Sequence, residues 1–361
     1  MTPLLLHVFP GFAVGGAQVR FIALANRFGP RWRHVVVSLN GETGAASRIE
    51  PQVPFRIEPR PYAAGASLPA RLTAIARMLR ALRPALLVTG NWGSMEWAMA
   101  NLAIGLPHLH TEDGFGPEER VRQLPRRRLA RAMVLRRSTI LLPSETLERL
   151  ALRQWHLPAR RLHRVANGID LARFHPVHAA PRAVPVIGTI AALRPEKNLG
   201  RLLQAVALLR AEGIACRLDI LGDGPERGGL ETLAATLKLG QACRFLGHVV
   251  DPAAAYRDMD VVALSSDTEQ MPFAVLEAMA SGLAVASTDV GDVAAMVAPE
   301  NRPHVVALDD AALAGALRPL LLRPDLRHAI GAANRRRAER DFDQESMFQT
   351  LAGLIDGLVG R

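Results

Sequence analysis

The feature that most constrains this chain is a repeated alternation of short apolar runs with stretches of helical period. In the first half the apolar runs are LLLHVF, HVVVSL, ALLVTG, HLHTE and TILLPS, and helices are expected after Gly16 and at 69–82, 93–104, 118–137 and 145–153. In the second half VPVIGTIAA, CRLDILG, CRFLG, DVVALSS, AVAST and HVVAL alternate with helices expected at about 197–212, 228–238, 274–281 and 309–321. This order predicts parallel sheets covered by helices on both faces, that is, two Rossmann-like α/β domains. A chain of 361 residues is long enough for two. The turn-rich ANGIDLARFHPVHAAPRAVP, residues 166–185, is the expected link. The first domain is placed at 1–175, joined by about 343–361 as the terminal helices beyond Pro324 cross back, and the second at 176–342. Ligands in such folds sit at the C-terminal ends of strands, so a cleft between the domains is the expected site.

Composition narrows the class. A content of 49% hydrophobic and 22% charged residues is that of a soluble globular enzyme. Cys216 and Cys243 lie in strand-like runs, where a free cysteine is a small core residue, and neither a disulfide framework nor a metal cluster is indicated. The opening MTPLLLHVFPGF lacks basic residues before its apolar run, and no stretch has the eighteen or so apolar residues of a membrane span, so a chain that is neither exported nor transmembrane is expected.

Charge is unevenly divided. Residues 1–175 hold 25 Lys and Arg against 11 Asp and Glu, an excess of 14, so the rest must carry −4 to reach the total of +10. Much of the excess lies in EERVRQLPRRRLARAMVLRRS, residues 118–138, which reads as a basic amphipathic helix with Arg126, Arg127, Arg128 and Arg131 at its centre. Such a helix lies on an anionic membrane, holds an acidic ligand, or is a solvated face. No aromatic-interleaved basic motif appears, so nucleic acid is not an expected partner.

The second half contains SSDTEQMPFAVLEAMASG, residues 265–282. Pro272 suits a helix start and Gly282 a stop, so the run from Phe273 to Ser281 reads as a helix, with Glu269 in the loop before it and Glu277 one turn after Phe273. Both carboxylates can look into the space above the helix N-terminus, where the N–H groups of Phe273, Ala274 and Val275 favour a phosphate. Carboxylates beside a phosphate site suit hydroxyls, which points to a nucleotide or nucleotide sugar; alternatively they only complement the helix dipole.

Four further segments lie at strand ends. In PGFAVGGAQ, Gly15 and Gly16 allow close approach to a phosphate or sugar, or simply form a tight turn; the segment is neither a dinucleotide fingerprint nor a P-loop. In LRPEKNL, Lys197 and Arg194 can reach the cleft and neutralise a leaving diphosphate, or cap a helix. GDGPERGGL begins with Gly222, in a glycine-rich turn able to approach a nucleotide. In LPHLHTEDG, His110 is followed by Glu112 and Asp113; His108 and His110 are not expected to face the same ligand, and the spacing matches no strong metal motif.

Together GGAQ, NGID, RPEKN, LGDGPE, FLG, the E-x7-E of TEQMPFAVLEAMASG and the following TDVGD resemble the retaining glycosyltransferases of family 4, with the GT-B fold, across essentially the whole chain. HTEDGFGPEE is similar to a bacterial subgroup of surface polysaccharide or glycolipid assembly. The resemblance implies that Glu269 contacts hydroxyls of a donor sugar and that Glu277 takes the ribose hydroxyls. It also implies that Phe273, Ala274 and Val275 hold sugar and diphosphate through their amides, that Lys197 faces the diphosphate, that Gly16 closes over it, and that His110 contacts the sugar. Glu112 and Asp113 are acceptor-side candidates. Two departures stand out: Ala192 replaces the family's usual arginine, for which Arg194 is a substitute, and Gln270 replaces its usual glycine. The implied activity is metal-independent, retaining transfer of a hexose-type sugar from a UDP- or GDP-linked donor, with no cofactor. The acceptor is expected to be lipid-linked or a glycan, at the inner face of the cytoplasmic membrane. A nucleotide-sugar 2-epimerase and a non-catalytic sugar-nucleotide sensor are the alternatives.

Overall fold

The apolar runs become strands that are largely buried on both faces, and every strand pairing is parallel. The first half supplies β1 (Leu4–Phe9), β2 (Arg33–Ser38), β3 (Phe55–Glu58), β4 (Leu86–Gly90), β5 (His108–Thr111), β6 (Thr139–Leu142) and β7 (Leu162–Arg164), in the spatial order β3-β2-β1-β4-β5-β6-β7. The second supplies β8 (Val186–Ile190), β9 (Arg217–Leu221), β10 (Cys243–Gly247), β11 (Val261–Leu264), β12 (Ala284–Thr288) and β13 (Val305–Val306), in the order β10-β9-β8-β11-β12-β13. Each sheet winds outward in both directions from a switch point, between β1 and β4 in one and between β8 and β11 in the other. The edge strands β3 and β7 were not among the expected strands.

This computed structural model describes residues 2–115, 119, 123–176 and 182–360. It divides into unit 1, Met1–Ala166 with Met347–Arg361, and unit 2, Asn167–Ser346. The division falls earlier than the expected 175/176 because the NGID segment is tied to unit 2: the Asn167 amide side chain donates to the Met271 carbonyl at 3.1 Å, and Ile169 bridges to Asp343.

Unit 1 carries α1 (Gly16–Phe28), α2 (Leu68–Leu82), α3 (Met95–Asn101), α4 (Pro125–Val134) and α5 (Glu145–Arg153). Unit 2 carries α6 (Leu199–Ala211), α7 (Arg227–Thr236), α8 (Pro252–Tyr256), α9 (Phe273–Ala280), α10 (Val293–Met296), α11 (Asp310–Leu322) and α12 (Pro324–Asp341). In its core, Leu202, Leu203 and Val206 of α6 and Leu313, Leu317 and Leu320 of α11 pack on Ile187, Leu218, Val261 and Ala284. Gly331 of α12 is fixed by contact, since a methyl there would lie 2.0 Å from the Gly282 carbonyl oxygen at the end of α9. Of the helices beyond Pro324, only the last, α13 (Gln344–Val359), returns the chain to unit 1, where Phe348, Leu351 and Ile355 pack with Leu5, Trp32 and Leu109. Cys216 is buried and Cys243 half-buried, both as free thiols. No helix among the described residues is long and apolar enough to cross a membrane.

The basic helix differs from its expected form. It begins at Pro125 rather than 118, residues 118 and 120–122 lying outside the described set. Arg131 is fully buried, and Arg127 sits over the Trp92 ring, so neither belongs to a membrane-facing surface. The outward face is instead made of Arg126, Arg128, Leu129, Met133, Arg136 and Arg137, with Leu129 60% and Met133 66% exposed.

Unit 1 also buries histidines in hydrogen-bonded positions, three of them with depressed imidazoles. His7 Nε2 and His34 Nδ1 are 3.1 Å apart on neighbouring strands, and His108 lies between Thr89 and Ser138. Burial pushes His34 down to about 4 and His108 to about 3, the latter helped by His110, and it takes His7 well below the usual imidazole range. An imidazole depressed in the folded state binds its proton more readily when unfolded. The stability it contributes is therefore full above the unfolded value near 6.5 and is lost as pH falls toward the folded values. From pH 7 to pH 5 His34 and His108 should each cost roughly 2 kcal/mol, before shared effects are counted, and His7 acts in the same direction. Thermal melts of the full chain should thus show a marked fall in Tm over that window, and a flat profile would contradict neutral burial.

Candidate active site

In unit 2 the loops that follow β8 and β11 are neighbours because those strands flank the switch point. The first loop forms a short turn at Pro195–Lys197, and the second runs from Ser265 to Pro272 into α9. Lys197 Nζ donates to Glu269 Oε1 at 2.5 Å, and Ser266 Oγ donates to the same oxygen at 2.8 Å. Lys197 is 25% exposed and Glu269 12%, so the pair is shielded yet open on one side.

The surrounding residues fix this pair. Asn198 adopts a left-handed conformation (φ 41°), caps α6 and donates to Asp267 Oδ1 at 2.9 Å. Arg201 reaches from α6 to the Ser265 carbonyl at 2.7 Å and to Asp267 at 3.0 Å. The TDVGD segment braces the far side: Thr288 Oγ1 donates to the Ser266 carbonyl at 2.6 Å, and the Asp292 amide donates to the Gln270 carbonyl at 2.9 Å. Gly291, at φ 56°, is required there, since a methyl would come within 2.5 Å of the Glu269 carbonyl oxygen. Charged clamps such as Arg201–Asp267 were not anticipated from sequence; each joins groups far apart in the chain.

Helix α9 starts at Phe273, after Pro272, with no side-chain cap. The Val275 amide donates to the Pro272 carbonyl at 3.1 Å and Val275 is fully buried, so its expected role in holding a ligand is not supported by the geometry. Phe273 and Ala274 carry the first-turn amides that make no hydrogen bond among the described residues, which suits an anion. Glu277, half-buried on the next turn, accepts from the Tyr256 hydroxyl at 2.8 Å. Desolvation raises its carboxyl above the usual range, while the Tyr256 hydrogen bond and the charge of Arg173 pull the other way.

Other expected residues have clear structural settings. Gly222 has φ 130°, and a methyl there would lie 1.9 Å from the Ala191 carbonyl oxygen, so glycine lets the loops after β8 and β9 pack together. Arg194 and Ala192 are exposed. Gly15 caps α1 in an extended conformation, Gly16 opens that helix, and neither needs a left-handed backbone.

In unit 1, His110 does not stand at an open edge. It is fully buried, with Nδ1 2.8 Å from Thr89 Oγ1 and Nε2 3.5 Å from Glu112. His108 shares that same threonine at 2.8 Å, because alternate residues of a strand point to one face, contrary to the expectation that they diverge. Glu112 is equally buried and accepts from Arg131 Nε at 3.1 Å, while Arg131 also holds Glu119 through both terminal nitrogens at 3.1 and 3.0 Å. The Trp92, Phe115 and Trp155 rings enclose the guanidinium at 5.3, 5.2 and 5.1 Å. Glu112 is therefore a buried counter-ion rather than an open acceptor contact. Asp113 pairs with Arg20 at 2.7 Å.

Comparison with known proteins bears on this arrangement. Residues 172–337 match the family Glycosyl transferases group 1 and residues 14–173 match Glycosyltransferase Family 4. The chain is 29% identical over 236 residues to Escherichia coli WcaL, named provisionally as a colanic acid biosynthesis glycosyltransferase; the match covers 62% of this chain and 58% of WcaL. It is 34% identical over 149 residues to a GDP-mannose-dependent alpha-mannosyltransferase of Mycobacterium tuberculosis, covering 39% of this chain and 37% of that one. Among solved structures, Anabaena Alr3699/HepE in complex with UDP and glucose superposes with a TM-score of 0.83 at 17% identity, over 98% of this chain and all (100%) of that one. WaaG, involved in lipopolysaccharide biosynthesis, gives a TM-score of 0.77 at 17% identity, over 98% of this chain and 100% of that one.

The Arg131 cluster generates a direct test. Removing one member of a buried ion network strands its partners, at a typical cost of about 3–5 kcal/mol. Arg131→Gln should lower stability to urea by that order, whereas Arg128→Gln, on the exposed face of the same helix, should change it by less than about 0.5 kcal/mol. Equal stability of the two variants would contradict the assignment.

Proposed function

Since the chain belongs to the family 4 glycosyltransferases and has the GT-B fold, we propose that it transfers a hexose-type sugar, with retention, from a UDP- or GDP-linked donor to a lipid-linked or glycan acceptor in surface polysaccharide or glycolipid assembly. The observation that carries this reading is the Lys197–Glu269 pair beside the uncapped start of α9. A cation and open amides suit a diphosphate, and carboxylates within the same site suit sugar and ribose hydroxyls. The names of the relatives, a GDP-mannose-dependent mannosyltransferase and a protein solved with UDP and glucose, support the donor class.

The chemistry assigned to these residues is electrostatic. On donor binding Lys197 turns from Glu269 to the diphosphate and offsets the charge that builds as the sugar–phosphate bond breaks. Glu269, released from that pairing, accepts sugar hydroxyls. The departing phosphate oxygen takes the acceptor's proton on the same face of the sugar, so no side chain is assigned as nucleophile, and Lys197 with the α9 amides takes the place of a metal. The outward face of α4 and of the turn after it, with Leu129 and Met133 set among Arg126, Arg128, Arg136 and Arg137, suits docking to an anionic bilayer at the inner face of the cytoplasmic membrane.

A thermal-shift screen of UDP-glucose, UDP-N-acetylglucosamine, UDP-galactose and GDP-mannose tests the donor reading. A binder at a hundred times its Kd should add about 2.7 kcal/mol of stability, and no response to any of them would contradict it. With an active donor and acceptor in hand, Lys197→Ala should lower kcat on the order of a hundredfold, and near-normal turnover would remove the residue from the chemistry.

Membrane docking has its own measurement. Each arginine near an anionic surface contributes about 1 kcal/mol, so replacing Arg126, Arg128, Arg136 and Arg137 with glutamine should release the protein from anionic vesicles in a sedimentation assay. Raised salt should do the same to the unmodified chain. An unmodified chain that ignores such vesicles at low salt would contradict docking.

A further inference from the structure

Tyr256 had no place among the expected site residues, yet it makes the one side-chain hydrogen bond to Glu277 among the described residues. It closes α8, is 1% exposed, and is fixed by an edge-on contact with Phe174 at 6.1 Å. A phenol has one proton to donate. Its two acceptors are Glu277 Oε2 at 2.8 Å and the Ala274 carbonyl at 3.3 Å, and the shorter, charge-assisted bond dominates. One lone pair of Glu277 is thus engaged, and the rest of the carboxylate, on a half-buried residue one turn after Phe273, remains able to accept from a ligand.

Resting on the donor-site reading above, we propose that Tyr256 is a positioning residue for nucleoside recognition: it holds the Glu277 carboxylate by one oxygen and so fixes the direction in which the remaining lone pairs accept ribose hydroxyls. The rotamer of a carboxylate on a helix face is otherwise free to sweep several directions, and a ligand hydroxyl must then pay to stop it. The tyrosine arrests that motion beforehand. It also stabilises the charged form that a hydroxyl needs as acceptor, acting with Arg173 against desolvation. The phenol itself stays protonated, because burial and the neighbouring carboxylate raise it well above its ordinary range.

The test uses the full chain and isothermal titration with UDP, GDP and their 2′-deoxy and 3′-deoxy forms. Whichever ribonucleotide binds should lose about tenfold in affinity on deletion of a ribose hydroxyl from which Glu277 accepts. Tyr256→Phe should weaken the ribonucleotide about tenfold and move the acid limb of its binding curve to higher pH. It should weaken a deoxynucleotide that has lost such a hydroxyl much less than the ribonucleotide, and add nothing in a Glu277→Gln background. No loss on either deletion, or a Tyr256→Phe effect that is the same for ribo- and deoxynucleotides, would overturn the proposal while leaving the donor site standing. Failure of the unmodified chain to bind either ribonucleotide would remove both. Should Tyr256→Phe fail to fold, Phe174→Leu, which loosens the ring packed against Tyr256, takes its place: a loss confined to the ribonucleotide supports the proposal and an equal loss for ribo- and deoxynucleotides overturns it.

Discussion

Opposite charges meet at Lys197 and Glu269 because of where the unit 2 sheet reverses its winding. Strands β8 and β11 are adjacent in space but separated in sequence by β9 and β10, so the loops leaving them converge with no intervening element. A doubly wound sheet provides such a place once, and here it holds a cation, a carboxylate and the uncapped start of a helix. The remainder of unit 2 can be understood as support for that point. Arg201 and Asp267 bind the two loops together, Gly291 admits the TDVGD segment against Glu269, and Asn167 holds Met271 from the chain's entry into the unit. Charged clamps of this kind contribute more to geometry than to net stability, since their desolvation offsets much of their attraction.

Unit 1 handles its excess of arginine in two ways. Part of it is spread over exposed faces, as in α4, where Arg126 and Arg128 stand beside exposed Leu129 and Met133. The rest is internalised with partners: Arg131 between Glu112 and Glu119 in an aromatic enclosure, and Arg20 against Asp113. Glu112, Asp113 and Glu119 of the HTEDGFGPEE stretch therefore serve the arginines of their own unit. His110, Thr89, His108 and Ser138 extend that polar interior as a hydrogen-bonded row across the sheet.

The sequence made the sheets legible because apolar runs report burial directly. The β10 and β12 runs and α5 coincide with their expected spans, and Lys197, Glu269 and Glu277 could be placed by their position after strands and at a helix start. What escaped notice shares a physical cause. Arg131 looks like its neighbours in RRRLARAM, and only Glu112 and Glu119, brought back by the turn of the chain, decide that it faces inward. Tyr256 lies in an unremarkable AAAYRDMD, and its partner is on another helix. The short strands β3 and β7 are only partly buried and carry little apolar signal. A helix start ordinarily leaves the amide at the position of Val275 open to a ligand, whereas here the Pro272 carbonyl accepts from it. Periodicity identifies which faces are buried; it does not identify which charges are buried with them.

Amide hydrogen exchange, followed by mass spectrometry with and without saturating UDP-glucose or GDP-mannose, tests the central claim most directly: that a nucleoside-diphosphate sugar is held where the loops after β8 and β11 meet the start of α9. The account predicts protection in unit 2 concentrated in peptides covering residues 191–199 and 265–278. Protection confined to other parts of unit 2, or binding that leaves those two segments unchanged, would contradict it.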